Sequence, residues 1–297
     1  MTNPANPMER EVSVGATNPL GLDGIEFIEY ATSRPQAVGQ ALERMGFHPV
    51  ARHRSREVLL YRQGAMNVVI NAHVEKTVGG VQLGEAPAIA AVALRVKDAA
   101  VAYARALDRG AWAVPTHVEV MELNIPAIHG VGGSRIYFVD RYREFSIWDV
   151  DFVPIPGVSP RPPALAGLHW FGLVQYIGYD RMADWIEFYR ELFAFEELPD
   201  DQRFGILPQG KILASPCRSF YFQLVEPPPF VEDFDSEEML QRVGLGTPDV
   251  PGAVAALRQL GVEFVEGGAV TSGERGALTK PVGGLTFELV HTERAPS

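Results

Sequence analysis

A chain of 297 residues is longer than one hydrophobic core usually organises, which points to two domains. Its net charge of −11 argues against a nucleic-acid or anionic-membrane surface, since both want a basic stripe, and its single cysteine, Cys217, excludes an intrachain disulfide framework. No apolar run is long enough to span a membrane, and the polar, proline-containing opening lacks the centre of a signal peptide. Residues 1–17 therefore read as a loose tail and the compartment as cytoplasmic.

Residues 25–30 alternate as a half-buried strand does. Ser33 is the expected N-cap of a helix with Pro35 in its first turn; Val38, Leu42 and Met45 recur at helical spacing, and Gly46 ends it. Strands are expected at 47–51, 57–61 and 66–70, the last two joined by a turn at Gly64. A second unit follows, with a strand at 92–96, Asp98 as N-cap, a helix over 99–107 closed by Gly110, and strands at 135–139 and 145–150. The proline-rich stretch 154–166 reads as a linker, dividing a first domain (18–153) from a second (167–297).

The second half repeats the first. One constant offset pairs Val92 with Val243, Asp98 with Asp249 and Gly110 with Gly261. Another pairs Gly24 with Gly172, Glu43 with Glu191 and Phe47 with Phe195, and a third pairs Phe145 with Phe287. In the helix expected over 180–193, Trp185, Phe188, Tyr189 and Leu192 share one stripe, which reads as core. The acidic, proline-rich 226–238 reads as a solvated loop. The chain thus carries four βαβββ units, two per domain, in an α+β fold. Pairing two units buries their edges and leaves a cupped, barrel-like sheet suited to a small molecule.

Five of the seven residues of the last strand, 284–290, are apolar, yet it carries the carboxylate of Glu288. Alternation sends Phe287 and Leu289 toward the helices and Glu288 into the space the sheet encloses. A carboxylate there needs a cation or hydrogen-bond donors.

Several runs carry a family resemblance. They are Asn18-Pro19-Leu20-Gly21, Gly24-Ile25-Glu26-Phe27-Ile28-Glu29-Tyr30, Leu60-Tyr61-Arg62-Gln63-Gly64 and Met121-Glu122-Leu123-Asn124-Ile125-Pro126, followed by Asp149-Val150-Asp151-Phe152. Over residues 18–153 the chain resembles the amino-terminal domain of 4-hydroxyphenylpyruvate dioxygenase. The second half resembles the family more loosely, through Arg181-Met182, Phe188-Tyr189, Gln241 and Phe287-Glu288. The resemblance implies the vicinal-oxygen-chelate fold of the glyoxalase, bleomycin-resistance and extradiol dioxygenase superfamily. It also implies a structural first domain, a second domain holding Fe(II) through two histidines and a glutamate, and a homo-oligomer.

Glu288 matches the glutamate of that triad, whereas Gly172 and Arg242 stand at the places of the two histidines, and Val225 replaces an active-site asparagine. The chain ends soon after Glu288, so the family's closing carboxy-terminal helix is not expected. His169 lies an odd number of residues before Gly172 and faces away from it unless a bulge intervenes; His291 is likewise odd relative to Glu288. His48, His53, His73, His117 and His129 read as surface or loop residues, and Cys217 as a structural thiol.

With no metal expected, Arg242 becomes the cation, forming a bidentate pair with Glu288, either as a purely structural bridge or sharing its fork with a ligand carboxylate. The implied function is binding of a small aromatic or 2-oxo carboxylate by Arg242, Gln241, Tyr221 and Gln223. Any catalysis would be of lyase or isomerase type, without cofactor, through Arg242 and Glu288. The alternatives are an Fe(II) dioxygenase acting on 4-hydroxyphenylpyruvate or a related aryl-2-oxo acid, and a non-catalytic partner or regulatory protein.

Overall fold

In the computed structural model, the described residues are 17–292 except 73–76, 79–80, 83–85, 116–122, 144, 203, 205–209, 227–237 and 267–272. His73, His117 and most of the expected acidic loop lie outside them. The first half contains Ile25–Ala31 (β1), Pro35–Arg44 (α1), His48–His53 (β2), Val58–Gln63 (β3) and Met66–Asn71 (β4). After the small hairpin Thr77–Val78 (β5) and Val81–Gln82 (β6) come Ala88–Arg95 (β7), Ala99–Asp108 (α2), Ala127–His129 (β8), Arg135–Val139 (β9), Ile147–Asp151 (α3) and Phe152–Pro154 (β10). The second half contains His169–Tyr176 (β11), Met182–Phe193 (α4), Glu196–Glu197 (β12), Lys211–Ala214 (β13), Tyr221–Val225 (β14), Met239–Thr247 (β15), Val250–Gln259 (α5), Gly276–Leu278 (β16) and Phe287–His291 (β17).

Eight strands form one mixed sheet in the order β10-β2-β3-β4-β1-β7-β9-β8, and seven form another in the order β12-β13-β14-β11-β15-β17-β16. Each sheet has an antiparallel seam at its centre (β1 with β7, β11 with β15), flanked on both sides by parallel pairs. This is the arrangement of two strand-helix-strands units joined edge to edge, and the fold is α+β as expected. The second unit of each domain is shorter than βαβββ among the described residues, because one strand is reduced to a single bridge, Ala113 to Ile128 and Phe264 to Thr279.

Local chemistry explains most of the boundaries. Asp98 and Asp249 cap α2 and α5 by accepting from the backbone N–H of Val101 and Gly252. Ser33 does not cap α1. Its N-cap is Arg34, whose N–H donates to the hydroxyl of Thr32, and Pro35 at the first helical position needs no capping partner.

The expected strand at 145–150 is instead the short helix α3. Ser146 and Asp149 form a capping box, which satisfies the first free N–H groups of a helix and overrides the apolar pattern. Phe145 turns outward with a left-handed φ of 57°. The repeat is corrected accordingly: by register the equivalent of Phe287 in the first half is Ile136, not Phe145, and that of Gly172 is Phe27, not Gly24.

One apolar core joins the helix-facing sides of both sheets, with Leu42, Phe47 and Phe138 in the same cluster as Trp185, Tyr189, Phe193 and Phe287. The rings of Phe47 and Trp170, and of Phe138 and Phe193, meet across the halves at 6.4 and 6.2 Å. A smaller cluster, including Phe27, Val69, Ala93 and Phe152, lines the inner face of the first sheet.

Candidate functional site

The expected site lies on the inner face of the second sheet. Gly172 of β11 stands opposite Gly244 of β15, which pairs in turn with Glu288 of β17; one step along β15, Arg242 stands opposite Val174. Arg242 and Glu288 are therefore diagonal neighbours, and both are buried, 7% and 4% exposed. Phe287 and Leu289 pack on the helix side, so Glu288 points the other way.

The ion pair forms, but not in the expected bidentate geometry. Nε of Arg242 lies 3.5 Å from Oε2 of Glu288, and this Nε has no hydrogen-bond partner. Nη1 donates instead to Oε1 of Gln241 at 2.9 Å. A bulge explains the diversion. Arg242 faces Val174 and Leu240 faces Gln175, which leaves Gln241 as the extra residue and turns adjacent side chains toward each other.

A second bulge, at Phe171, settles the direction of His169. Trp170 faces Leu245 and Gly172 faces Gly244, so the offset between His169 and Gly172 becomes even and both share the inner face. His169 nevertheless sits over Gly246, farther along β15, with its Nδ1 2.9 Å from the carbonyl oxygen of Gly167. His291 is exposed and pairs with Thr247.

Tyr221 and Gln223 line the same space as Glu288, beside Phe171, Gly172 and Phe204. The rings of Phe171, Phe204 and Tyr221 form a mutual cluster with centroids 4.8 to 5.2 Å apart. What remains is a cavity of about 30 Å³, with room for about two waters. Tyr221, Gln223 and Glu288 are thus brought together, while Arg242 and Gln241 lie to one side.

Phe171 and Phe204 were not among the residues expected here. A glycine inside an apolar strand run, as in Trp170-Phe171-Gly172, is the sequence sign of a bulge or a close backbone approach. Both occur: a Cβ placed on Gly172 would collide with the carbonyl oxygen of Tyr221.

Residues 16–153 match the family model for the amino-terminal part of hydroxyphenylpyruvate dioxygenase. The chain is 45% identical over 185 residues to 4-hydroxyphenylpyruvate dioxygenase of Pseudomonas sp. (strain P.J. 874), a match covering 61% of this chain and 51% of that protein. It is 35% identical over 266 residues to 4-hydroxyphenylpyruvate dioxygenase of Pseudomonas aeruginosa, covering 84% of this chain and 72% of the relative. The chain belongs to the 4-hydroxyphenylpyruvate dioxygenase family.

Among solved structures, a fusion of a xylose isomerase-like TIM barrel with 4-hydroxyphenylpyruvate dioxygenase superposes with a TM-score of 0.72. That match is 23% identical and covers 93% of this chain and 50% of the other, so it speaks for the fold alone.

The Fe(II) implied by the 4-hydroxyphenylpyruvate dioxygenase resemblance can be tested against these residues. Around Glu288 the described chain offers a guanidinium, which is itself a cation and has no lone pair to give, and a glycine with no space for a side chain. Among the described residues no group of three His, Cys, Asp or Glu side chains is close enough to hold a metal ion. This donor set does not fit a two-histidine, one-carboxylate ion.

Proposed function

We propose that this member of the 4-hydroxyphenylpyruvate dioxygenase family works without iron, as a small-carboxylate-binding protein whose second domain holds an organic cation where relatives would hold a metal. The observation that carries the reading is Arg242, buried on the inner face with its Nε turned toward Glu288 and lacking a hydrogen-bond partner. Such an Nε is the group a ligand carboxylate would meet, and Tyr221 and Gln223 line the cavity beside its partner Glu288. Entry of an aromatic or 2-oxo acid requires Phe204 and Tyr221 to part, because the space beside Glu288 is about 30 Å³.

A fixed guanidinium can anchor a carboxylate and stabilise enolate-type charge, but it cannot activate dioxygen. Chemistry at this corner would therefore be isomerisation, hydration, elimination or cyclisation, with Glu288 carrying the proton. The small cavity favours a second reading, a non-catalytic partner or regulatory protein that kept the fold.

The deciding experiment loads purified protein with Fe(II), measures bound metal, and follows oxygen uptake with 4-hydroxyphenylpyruvate. Absence of tight iron and of oxygen uptake is expected. Stoichiometric iron with turnover would establish the dioxygenase instead. Titration with phenylpyruvate then separates the other two readings: binding lost in Arg242→Gln supports the carboxylate site, and no binding supports the regulatory protein.

A further inference from the structure

The two domains repeat one another, yet their cups are filled differently. By register, Phe27, Ala91 and Tyr137 occupy in the first sheet the places of Gly172, Arg242 and Glu288 in the second. In the second domain this corner is closed by Phe171, Phe204 and Tyr221. In the first it opens into a cavity of about 190 Å³, against about 30 Å³. A dry protein cavity of about 150 Å³ takes up benzene, so this one has room for a single ring bearing a small substituent.

Rings supply the apolar part of the lining. Phe27 meets Trp148 edge-on at 5.5 Å and Tyr137 at 5.8 Å, and Trp148 meets Phe152 at 5.2 Å. The ionised part cancels: Arg56 and Arg135 are matched by Glu29 and Asp151 in the same walls. An ionised guest would lose its hydration without finding an excess of opposite charge, which favours a guest with no charge at all.

What the lining does offer is one hydrogen-bond acceptor and one donor. Oε1 of Glu29 accepts from the Asn71 amide at 2.9 Å, and its Oε2 has no hydrogen bond among the described residues. The Tyr137 oxygen accepts from Nη1 of Arg135 at 3.4 Å, which leaves its own proton without an acceptor among them. Glu29 lies close enough for its charge to act on that hydroxyl. Burial first, then Glu29, pushes it above its ordinary range, against the opposing effects of Arg135 and Arg56, so it keeps its proton at neutral pH. Buried polar groups are ordinarily paired, and a hydroxyl is the group that donates to one neighbour while accepting from another. A flat ring carrying that hydroxyl would also restore the dispersion contacts that a ring-lined space of this size forfeits.

We propose that the first-domain cup is a binding site for an uncharged single-ring phenol, with its ring against Phe27, Trp148 and Phe152 and its hydroxyl donating to Glu29 while accepting from Tyr137. The family resemblance implied only a structural role for this domain. The site uses none of the residues invoked around Glu288, so it stands or falls independently of the iron-free reading.

The test is calorimetric titration of the full chain with 4-methylphenol, with 4-fluorotoluene, which keeps the ring but has no hydroxyl, and with the anion 4-hydroxyphenylacetate. Saturable binding of 4-methylphenol is expected, weakened about tenfold or more by loss of the ligand's hydroxyl and by Glu29→Leu. The anion should bind more weakly than 4-methylphenol. Val69→Phe fills the cavity without removing a polar group and should abolish binding while keeping the parent circular dichroism spectrum. The comparison of the three ligands on the parent chain decides the matter if either variant does not fold. The proposal is overturned by no binding of 4-methylphenol, by equal affinity for 4-methylphenol and 4-fluorotoluene, by tighter binding of the anion, or by binding that survives Val69→Phe.

Discussion

Arg242 and Glu288 illustrate how little a pair of residue names says about an ion pair. Their inward direction follows from strand alternation, but the 3.5 Å approach through Nε, with Nη1 given to Gln241, follows from a bulge. A buried charge left without its partner is costly, whereas replacing both partners by apolar groups often is not. Glu288→Gln is therefore expected to cost about 3 kcal/mol, and the double variant Arg242→Met, Glu288→Leu to recover most of it, read from urea midpoints. Additive losses would show that the two charges are not coupled.

Glu26 gives the pH dependence at this scale. Burial raises its pKa above the ordinary 4.5, partly offset by Arg95, whose Nε lies 2.5 Å from Oε2, and by the indole N–H of Trp148. A carboxyl raised in the folded state stabilises the fold fully below its unfolded pKa, and that contribution is lost as pH rises through the folded value. The stability of Glu26→Gln relative to the parent should therefore improve as pH climbs from about 4 to about 8. A gap that stays constant across that range would contradict the assignment.

At the scale of elements, the bulge at Phe171 decides what β11 can present. It turns His169 to the inner face, and it brings the Gly172 backbone so close to β14 that a Cβ would strike the Tyr221 carbonyl. Gly172→Ala should accordingly lose about 2 kcal/mol by chemical denaturation, well beyond what an alanine costs in an open strand. For the same reason, installing histidines at positions 172 and 242 is not expected to create a tight Fe(II) site. Metal titration of that double variant is the check, and tight iron with unchanged stability would mean that β14 yields easily.

The whole molecule behaves as two repeats on one core. Because Leu42, Phe47 and Phe138 share a cluster with Trp185, Phe193 and Phe287, neither half buries its helix-facing side alone. Unfolding is expected as one transition, with tryptophan fluorescence and far-ultraviolet circular dichroism coinciding along a urea titration. Two separated transitions would assign each half an independent core.

Much of this was legible in the sequence because it is local. Strand alternation placed Glu288 inward, Asp98 and Asp249 announced their helices, and the recurring residues announced the repeat. One local signal, the Ser146 to Asp149 capping box, lies beneath a strand-like apolar pattern in the sequence, and the fold follows the box.

What only the tertiary structure decided depends on how distant strands register and fill space. The bulges at Phe171 and Gln241 arise from pairing between β11 and β15, so the face of His169 and the geometry of Arg242 could not be counted along the chain. Which cup stays open is likewise a matter of packing. Phe204 reaches Tyr221 from a loop to close the second, while Phe27, Tyr137 and Trp148 surround the space left in the first, and volume belongs to the assembled walls rather than to any residue.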